Sequence, residues 1–182
     1  MSNWAFLTTA AVCVVALSAC TTSGGYKSDA ATLPTLNVSF ADTSWTGEKI
    51  PSGQQCNLFG GNGATPPLRV ANIPEDANAI IIEFNDRSFA PLSKGGGHGT
   101  VGYWTNGERE VVVPAVPGMQ SQNLPNNTFI ERRAQSTGSY ASPGYLPPCS
   151  GGRGHTYVAE VKAVFKATES GQTNRLLATK SV

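Results

Sequence analysis

One stretch near the C-terminal end gathers most of the groups able to do chemistry: Pro147-Pro148-Cys149-Ser150-Gly151-Gly152-Arg153-Gly154-His155-Thr156-Tyr157. Two prolines fix the approach of the chain. The glycines let the backbone turn tightly and come close to another group, because no Cβ blocks it. Successive N–H groups in such a turn can point at one anion. His155 stands where loop becomes strand, with Tyr157 beyond it. The plain alternative is a glycine-rich turn carrying a solvated histidine.

The elements that must position this stretch read as strands. From Tyr157 the alternation is strict: Tyr157, Ala159, Val161, Ala163 and Phe165 fall on one face, Glu160, Lys162 and Lys166 on the other. Val and Phe enrichment and the Ser170-Gly171 turn favour a strand over a helix here. Arg175 to Val182 returns as its hairpin partner. Ala79-Ile80-Ile81-Ile82-Glu83-Phe84 is a β-branched apolar run that reads as a buried central strand. It ends in Asn85-Asp86-Arg87, which puts polar groups at the strand's C-terminal end. A loop follows, with Gly95-Gly96-Gly97-His98. Val101, Tyr103 and Thr105 alternate in a further strand. Asn106-Gly107 is a strong hairpin signal, with Glu110 to Val113 as the expected partner strand. Leu36, Val38 and Phe40 alternate as a half-buried strand, and Thr128 to Arg133 as a short one.

Composition agrees with an all-β, loop-rich domain. Of 182 residues, 40% are hydrophobic, 20 are Gly and 12 are Pro. That length and hydrophobic share suffice for one domain with a real core. Charged residues make up 14% and the net charge is +1. No basic patch stands out, so the phosphate-neutralising term of nucleic-acid binding is missing.

The N-terminus reads as an address. Trp4 to Leu17 is an apolar run too short for a comfortable transmembrane helix, which needs about 20 residues. It has the length of a signal-peptide apolar region. Leu17-Ser18-Ala19-Cys20 resembles the bacterial lipobox. The expectation is a signal peptide over residues 1–19 and an acylated Cys20 that opens the mature chain. Acyl chains such as palmitate hold it to a membrane, since burying each CH₂ is worth about 0.8 kcal/mol. Thr21 rather than Asp after the cysteine favours the outer membrane, facing the periplasm. Residues 20–33, small and polar, read as a flexible tether, and residues 34–182 as the folded domain.

Four cysteines occur. With Cys13 in the signal and Cys20 acylated, Cys56 and Cys149 remain as an even pair in an oxidising setting. A bridge between them would close a loop of about 90 residues, worth about 4–5 kcal/mol in the chain-entropy estimate. Two buried free thiols are the alternative. No second cysteine lies within zinc-site spacing, so no metal is expected.

Several motifs fall in one order: Gly47-Glu48-Lys49-Ile50-Pro51, Cys56, Thr65-Pro66-Pro67-Leu68, Asp86, His98, then Pro148-Cys149 and Gly152-Arg153-Gly154-His155-Thr156-Tyr157. Together they resemble the phosphatidylethanolamine-binding protein (PEBP) family, also called Raf-kinase-inhibitor-like, in its bacterial branch. The resemblance spans roughly Leu36 to Val182. It implies an all-β fold, with a large central sheet packed on a smaller one, Greek-key connections and few short helices. It also implies an anion pocket lined by Asp86, His98, His155 and Tyr157, with no catalytic residue and no cofactor. This sequence departs from the family pattern after Asp86, where Arg87-Ser88-Phe89-Ala90-Pro91 lacks the family's middle proline and second aspartate. It departs again at Gly99, where the family has tryptophan, and at Thr156, where it has arginine.

An imidazole near its ordinary pKa of about 6.5 donates from one or both nitrogens. Two such rings and loop N–H groups would hold a phosphate or carboxylate, including a phospholipid headgroup. Asp86 would orient one ring and keep it charged, so anion binding would weaken as pH rises. Tyr157 would add a hydroxyl or an aromatic wall. Three readings compete, the first a metal site from His98, His155 and Asp86, which lie far apart in sequence and lack short ligand spacing. A surface-acting inhibitor of a kinase or protease would leave the pocket vestigial. A hydrolase using Asp86, a histidine and Ser150 lacks the Gly-x-Ser-x-Gly elbow.

Overall fold

The computed structural model describes residues 25–182. The expected signal peptide over residues 1–19 and Cys20 lie outside the described residues. Among those described, eight strands form two sheets: β1 (Asn37–Phe40), β2 (Leu68–Ala71), β3 (Ala79–Asp86), β4 (Thr100–Trp104), β5 (Glu110–Val113), β6 (Thr128–Arg132), β7 (Tyr157–Phe165) and β8 (Arg175–Ser181). The larger sheet has the order β6-β4-β3-β7-β8 and the smaller the order β1-β2-β5. Every pairing is antiparallel. Among the described residues, helical structure is confined to three single 3₁₀ turns. The protein is all-β, with a large sheet packed on a small one.

β3 occupies the centre because it has no residue suited to an edge: all eight are buried. Ile80, Ile82 and Phe84 point at the small sheet, where they meet Leu68, Val70, Val111 and Val113, flanked by Ala159, Val161 and Ala163 of β7. Each such aliphatic or aromatic side chain contributes about 1.5–3 kcal/mol on full burial. β7 pairs with β3 over its whole length, from Ala79 opposite Val164 to Asp86 opposite Tyr157.

Three features of the structure differ from the sequence reading or add to it. Asn106-Gly107 does form a turn with both residues at positive φ, 49° and 85°. It does not close a hairpin. β5 crosses to the small sheet and pairs with β2, while β4 takes β6 on its free edge. That edge suits β6 because Gly102 leaves room for the Phe129 ring, which a Cβ would meet at 2.1 Å. The turn is legible locally, but turn chemistry does not name the strand that follows it.

The second concerns Lys162, placed by alternation with Glu160 and Lys166 on the face opposite the apolar one. It is buried, with Nζ 2.8 Å from Glu83 Oε1. The Gly95–Gly97 loop folds over this face, its Gly96 and Gly97 amides donating to Asn85 Oδ1. Alternation tells one face from the other, not whether a second layer covers the polar one.

The third is the tether. Residues 26–33 pack along the large sheet instead of hanging free. Tyr26 is buried, its hydroxyl donating to Glu131. Burial, then the Glu131 carboxylate, push its pKa well up. Lys27 bridges to Arg175, and Leu33 joins the cluster of Tyr26, Ala79, Ile81 and Leu176. Two apolar side chains seven residues apart make too sparse a pattern to read as an element.

Candidate functional site

The antiparallel register of β3 and β7 builds the site. It sets Asp86 opposite Tyr157 at one end of the large sheet. The chain then turns on both sides, and the turns are sewn together: Arg87 N donates to Thr156 O, and Thr156 N donates to Ser88 Oγ. Ser88 N donates to Asp86 Oδ1, an Asx-type turn that aims the carboxylate. Its second oxygen, Oδ2, lies 2.6 Å from His155 Nδ1. A carboxylate oxygen accepts, so Nδ1 carries the hydrogen and Nε2 is the ring nitrogen left without that partner.

His98 arrives from another direction. Its backbone is pinned between β3 and the loop before Pro147, with N donating to Phe84 O and O accepting from Leu146 N. Its ring nitrogen Nδ1 lies 2.8 Å from Leu146 O. The Tyr157 ring stands edge-on to His98 at 5.3 Å and near His155 at 6.4 Å. Tyr157 therefore separates the two imidazoles. Burial pulls the pKa of His98 down, outweighing the Leu146 carbonyl and the Asp86 charge, and the neighbouring His155 pulls the same way. Gly99, where the family has tryptophan, has φ +106° and a Cβ there would come within 2.8 Å of Gly144 O. Bulk at that position has no room here.

The glycine-rich loop closes a third side. Cys149 is joined to Cys56 by a disulfide across 93 residues. Cys149 N donates to the Tyr157 hydroxyl, which also takes hydrogen bonds from Ser150. Beyond it, Gly151, Gly152 and Gly154 all have positive φ. None of the amides from Gly151 to His155 donates to another described residue. Such unpaired amides face solvent and are free for a ligand.

These parts enclose an open cleft of about 1040 Å³. Phe40, Trp45, Phe84 and Tyr145 line its apolar wall, and Ile50 and Phe59 stand exposed at the rim. Asp86, His98, His155 and Tyr157 thus come together in space, with the two histidines and Tyr157 lining the cleft and Asp86 behind His155. Sequence reasoning missed the Leu146 carbonyl, Ser88 and the Trp45–Ser52 wall. Of these, Asp86-Arg87-Ser88 carried a usable Asx-turn signal. Among the described residues, no group of three His, Cys, Asp or Glu side chains could hold a metal ion, and no helix is long and apolar enough to cross a membrane.

The lowered pKa of His98 has a consequence for stability. The folded ring stays neutral where the unfolded one, at about 6.5, takes up a proton. The resulting stability is present above pH 6.5 and is lost as pH falls from there through the folded pKa. Urea unfolding should show wild-type stability dropping between pH 7.5 and 5, with a shallower drop in His98→Gln. Equal slopes would contradict it.

The two-sheet antiparallel domain thus carries an open, histidine-lined cleft at the end of its large sheet. No protein-family model and no curated protein matches the sequence. Among solved structures, the chain is similar to a crystal structure described as a phosphatidylethanolamine-binding protein homologue, CT736 of Chlamydia trachomatis. Identity is 20%, over 81% of this chain and 94% of that one, with a TM-score of 0.47. That neighbour bears the family name that the sequence motifs resemble; the likeness is one of fold.

Proposed function

We propose that this protein binds a small anionic ligand, bearing phosphate or carboxylate, in the cleft at the end of the large sheet, and does no chemistry on it. One observation carries the reading: His155, oriented by Asp86, opens onto the cleft beside a run of unpaired loop amides. Exposed, unpaired N–H groups beside the ring that Asp86 holds favour negative charge. The non-enzymatic reading is supported by Ser150, whose hydrogen bonds go to Tyr157 and not to an imidazole. Acylation of Cys20 would tether the protein to the outer membrane, facing the periplasm, and the Cys56–Cys149 bridge favours an oxidising compartment of that kind.

Isothermal titration with inorganic phosphate tests the binding. His155→Ala should weaken affinity by about tenfold or more, the loss of one charge-assisted hydrogen bond. An unchanged affinity would remove His155 from the site, and no binding to the wild type would remove the reading. A second reading, a surface-acting inhibitor of a protein target, draws on Ile50, Leu58 and Phe59, which are all exposed large apolar side chains on the loop flanking the cleft. Inhibition that survives His155→Ala but not Phe59→Ser would favour it.

A further inference from the structure

The segment from Tyr26 to Thr35 fixes how the domain stands on a membrane. Lys27 pairs in parallel with Arg175, and Thr35 with Thr179, so residues 27–35 run beside β8 in its own direction. Leu176 N donates to Lys27 O at 2.7 Å, and Thr179 N to Pro34 O at 3.2 Å. β8 and β3 are parallel to each other, because both are antiparallel to β7. The start of β8 therefore lies at the Ala79 end of the large sheet, and the cleft at the Asp86 end. Followed back from Thr35 to Tyr26, the chain leads away from the cleft.

Tyr26 holds it there. Its ring is 2% exposed and packs with Ala79, Ile81, Val164 and Leu176. Its hydroxyl donates to Glu131 Oε1 at 3.0 Å, and Lys166 Nζ lies 2.8 Å from the other oxygen of that carboxylate. A buried ring with a satisfied hydroxyl is a firm anchor. Cys20 stands six residues before Tyr26. Six residues span at most about 20–22 Å when fully extended. The eight residues of β3 cover about 23 Å from one end of the sheet to the other. Even a straight run back along the sheet stops short of the cleft.

We infer that Tyr26 is a clip that turns the cleft away from the membrane. The inference rests on the acylation of Cys20 proposed above. The end of the domain that carries Ala79 and Arg175 then faces the bilayer. Headgroups of the anchoring bilayer lie out of reach of the cleft, and its ligand comes from the compartment on the far side.

Energy transfer on liposomes tests the orientation. The acylated chain keeps no free thiol, since Cys56 is bridged to Cys149. One introduced cysteine therefore takes the donor dye, and labelled headgroups are the acceptors. Thr173→Cys marks the turn before Arg175 and Arg153→Cys the loop at the cleft, both exposed positions. The Arg153 probe should lie about 20 Å further from the headgroup plane than the Thr173 probe, the length of β3. Inserting about a dozen Gly and Ser residues between Gly24 and Gly25 makes a flexible tether spanning roughly 20 Å or more. That insertion leaves the folded domain untouched and should remove most of the difference. Tyr26→Ser should do the same. Equal distances on the acylated protein, or a closer Arg153 probe, would overturn the clip and leave the anchor standing. A difference that survives the longer tether would also overturn it, because the domain surface would then set the orientation. A chain that carries no acyl group by mass spectrometry, and does not float with liposomes, would overturn both.

Discussion

Replacing Cys56 and Cys149 by serine should lower the melting temperature by about 10–20 °C and weaken anion binding in the same protein. The first effect follows from the 93-residue separation of the bridged pair. Freeing a loop of that size gives the unfolded chain about 4–5 kcal/mol of closure entropy. For a domain of this length each kcal/mol moves the midpoint by about 2–4 °C. The second effect follows from where the bridge sits. Cys56 N donates to Pro148 O, and Cys56 O accepts from Phe59 and Gly61. Cys149 N holds the Tyr157 hydroxyl. The bridge therefore ties the loop that carries the rim residue Phe59 to the loop that carries the amides beside His155. Differential scanning calorimetry and phosphate titration on the double variant read the two effects separately. Lost stability with intact affinity would mean the loop amides are not part of the site. An unchanged midpoint would mean the unfolded chain is already compact across this loop.

The contrast between what the sequence discloses and what it hides follows a physical line. β3, β7 and β8 are legible because one or both of their faces are packed, and packing leaves a period in the residue types. The Asn106-Gly107 turn is legible for the same local reason. Its destination is not, because pairing of β5 with β2 depends on which sheet edge is free, a property of the whole fold. Tyr26 is hidden because one aromatic ring and one leucine carry no period. In the site, Asp86, His98, His155 and Tyr157 can be named from their order along the chain. That His155 is the ring held by Asp86 follows only from the β3–β7 register. That His98 carries a hydrogen on Nδ1 follows from a backbone carbonyl at Leu146. Carbonyls are the same at every position, so no residue type announces the one that fixes a tautomer.

The buried pair Glu83–Lys162 is the other place where a single change should cost most. Both side chains are almost fully buried, at 2% and 4% exposure, with Nζ and Oε1 2.8 Å apart. Glu83 Oε2 has no hydrogen-bond partner, and neither do Asn85 Nδ2 and Thr100 Oγ1 nearby on the same face. The pair is thus under-satisfied, and its attraction is offset by the cost of removing two charges from water. Lys162→Met keeps most of the volume but strands Glu83, and should destabilise the fold by about 3–5 kcal/mol. Adding Glu83→Leu removes the stranded charge, and the double variant should return to within about 1 kcal/mol of wild type or exceed it. Denaturant unfolding of the four proteins closes the cycle. A double variant as unstable as Lys162→Met would show that the pair holds the Gly95–Gly97 loop in place through Asn85. Phosphate affinity should then fall with stability, because that loop delivers His98 to the cleft. Recovered stability with wild-type affinity would show instead that β3 and the Leu146 backbone hold His98 without it, and that the buried charges serve neither packing nor binding.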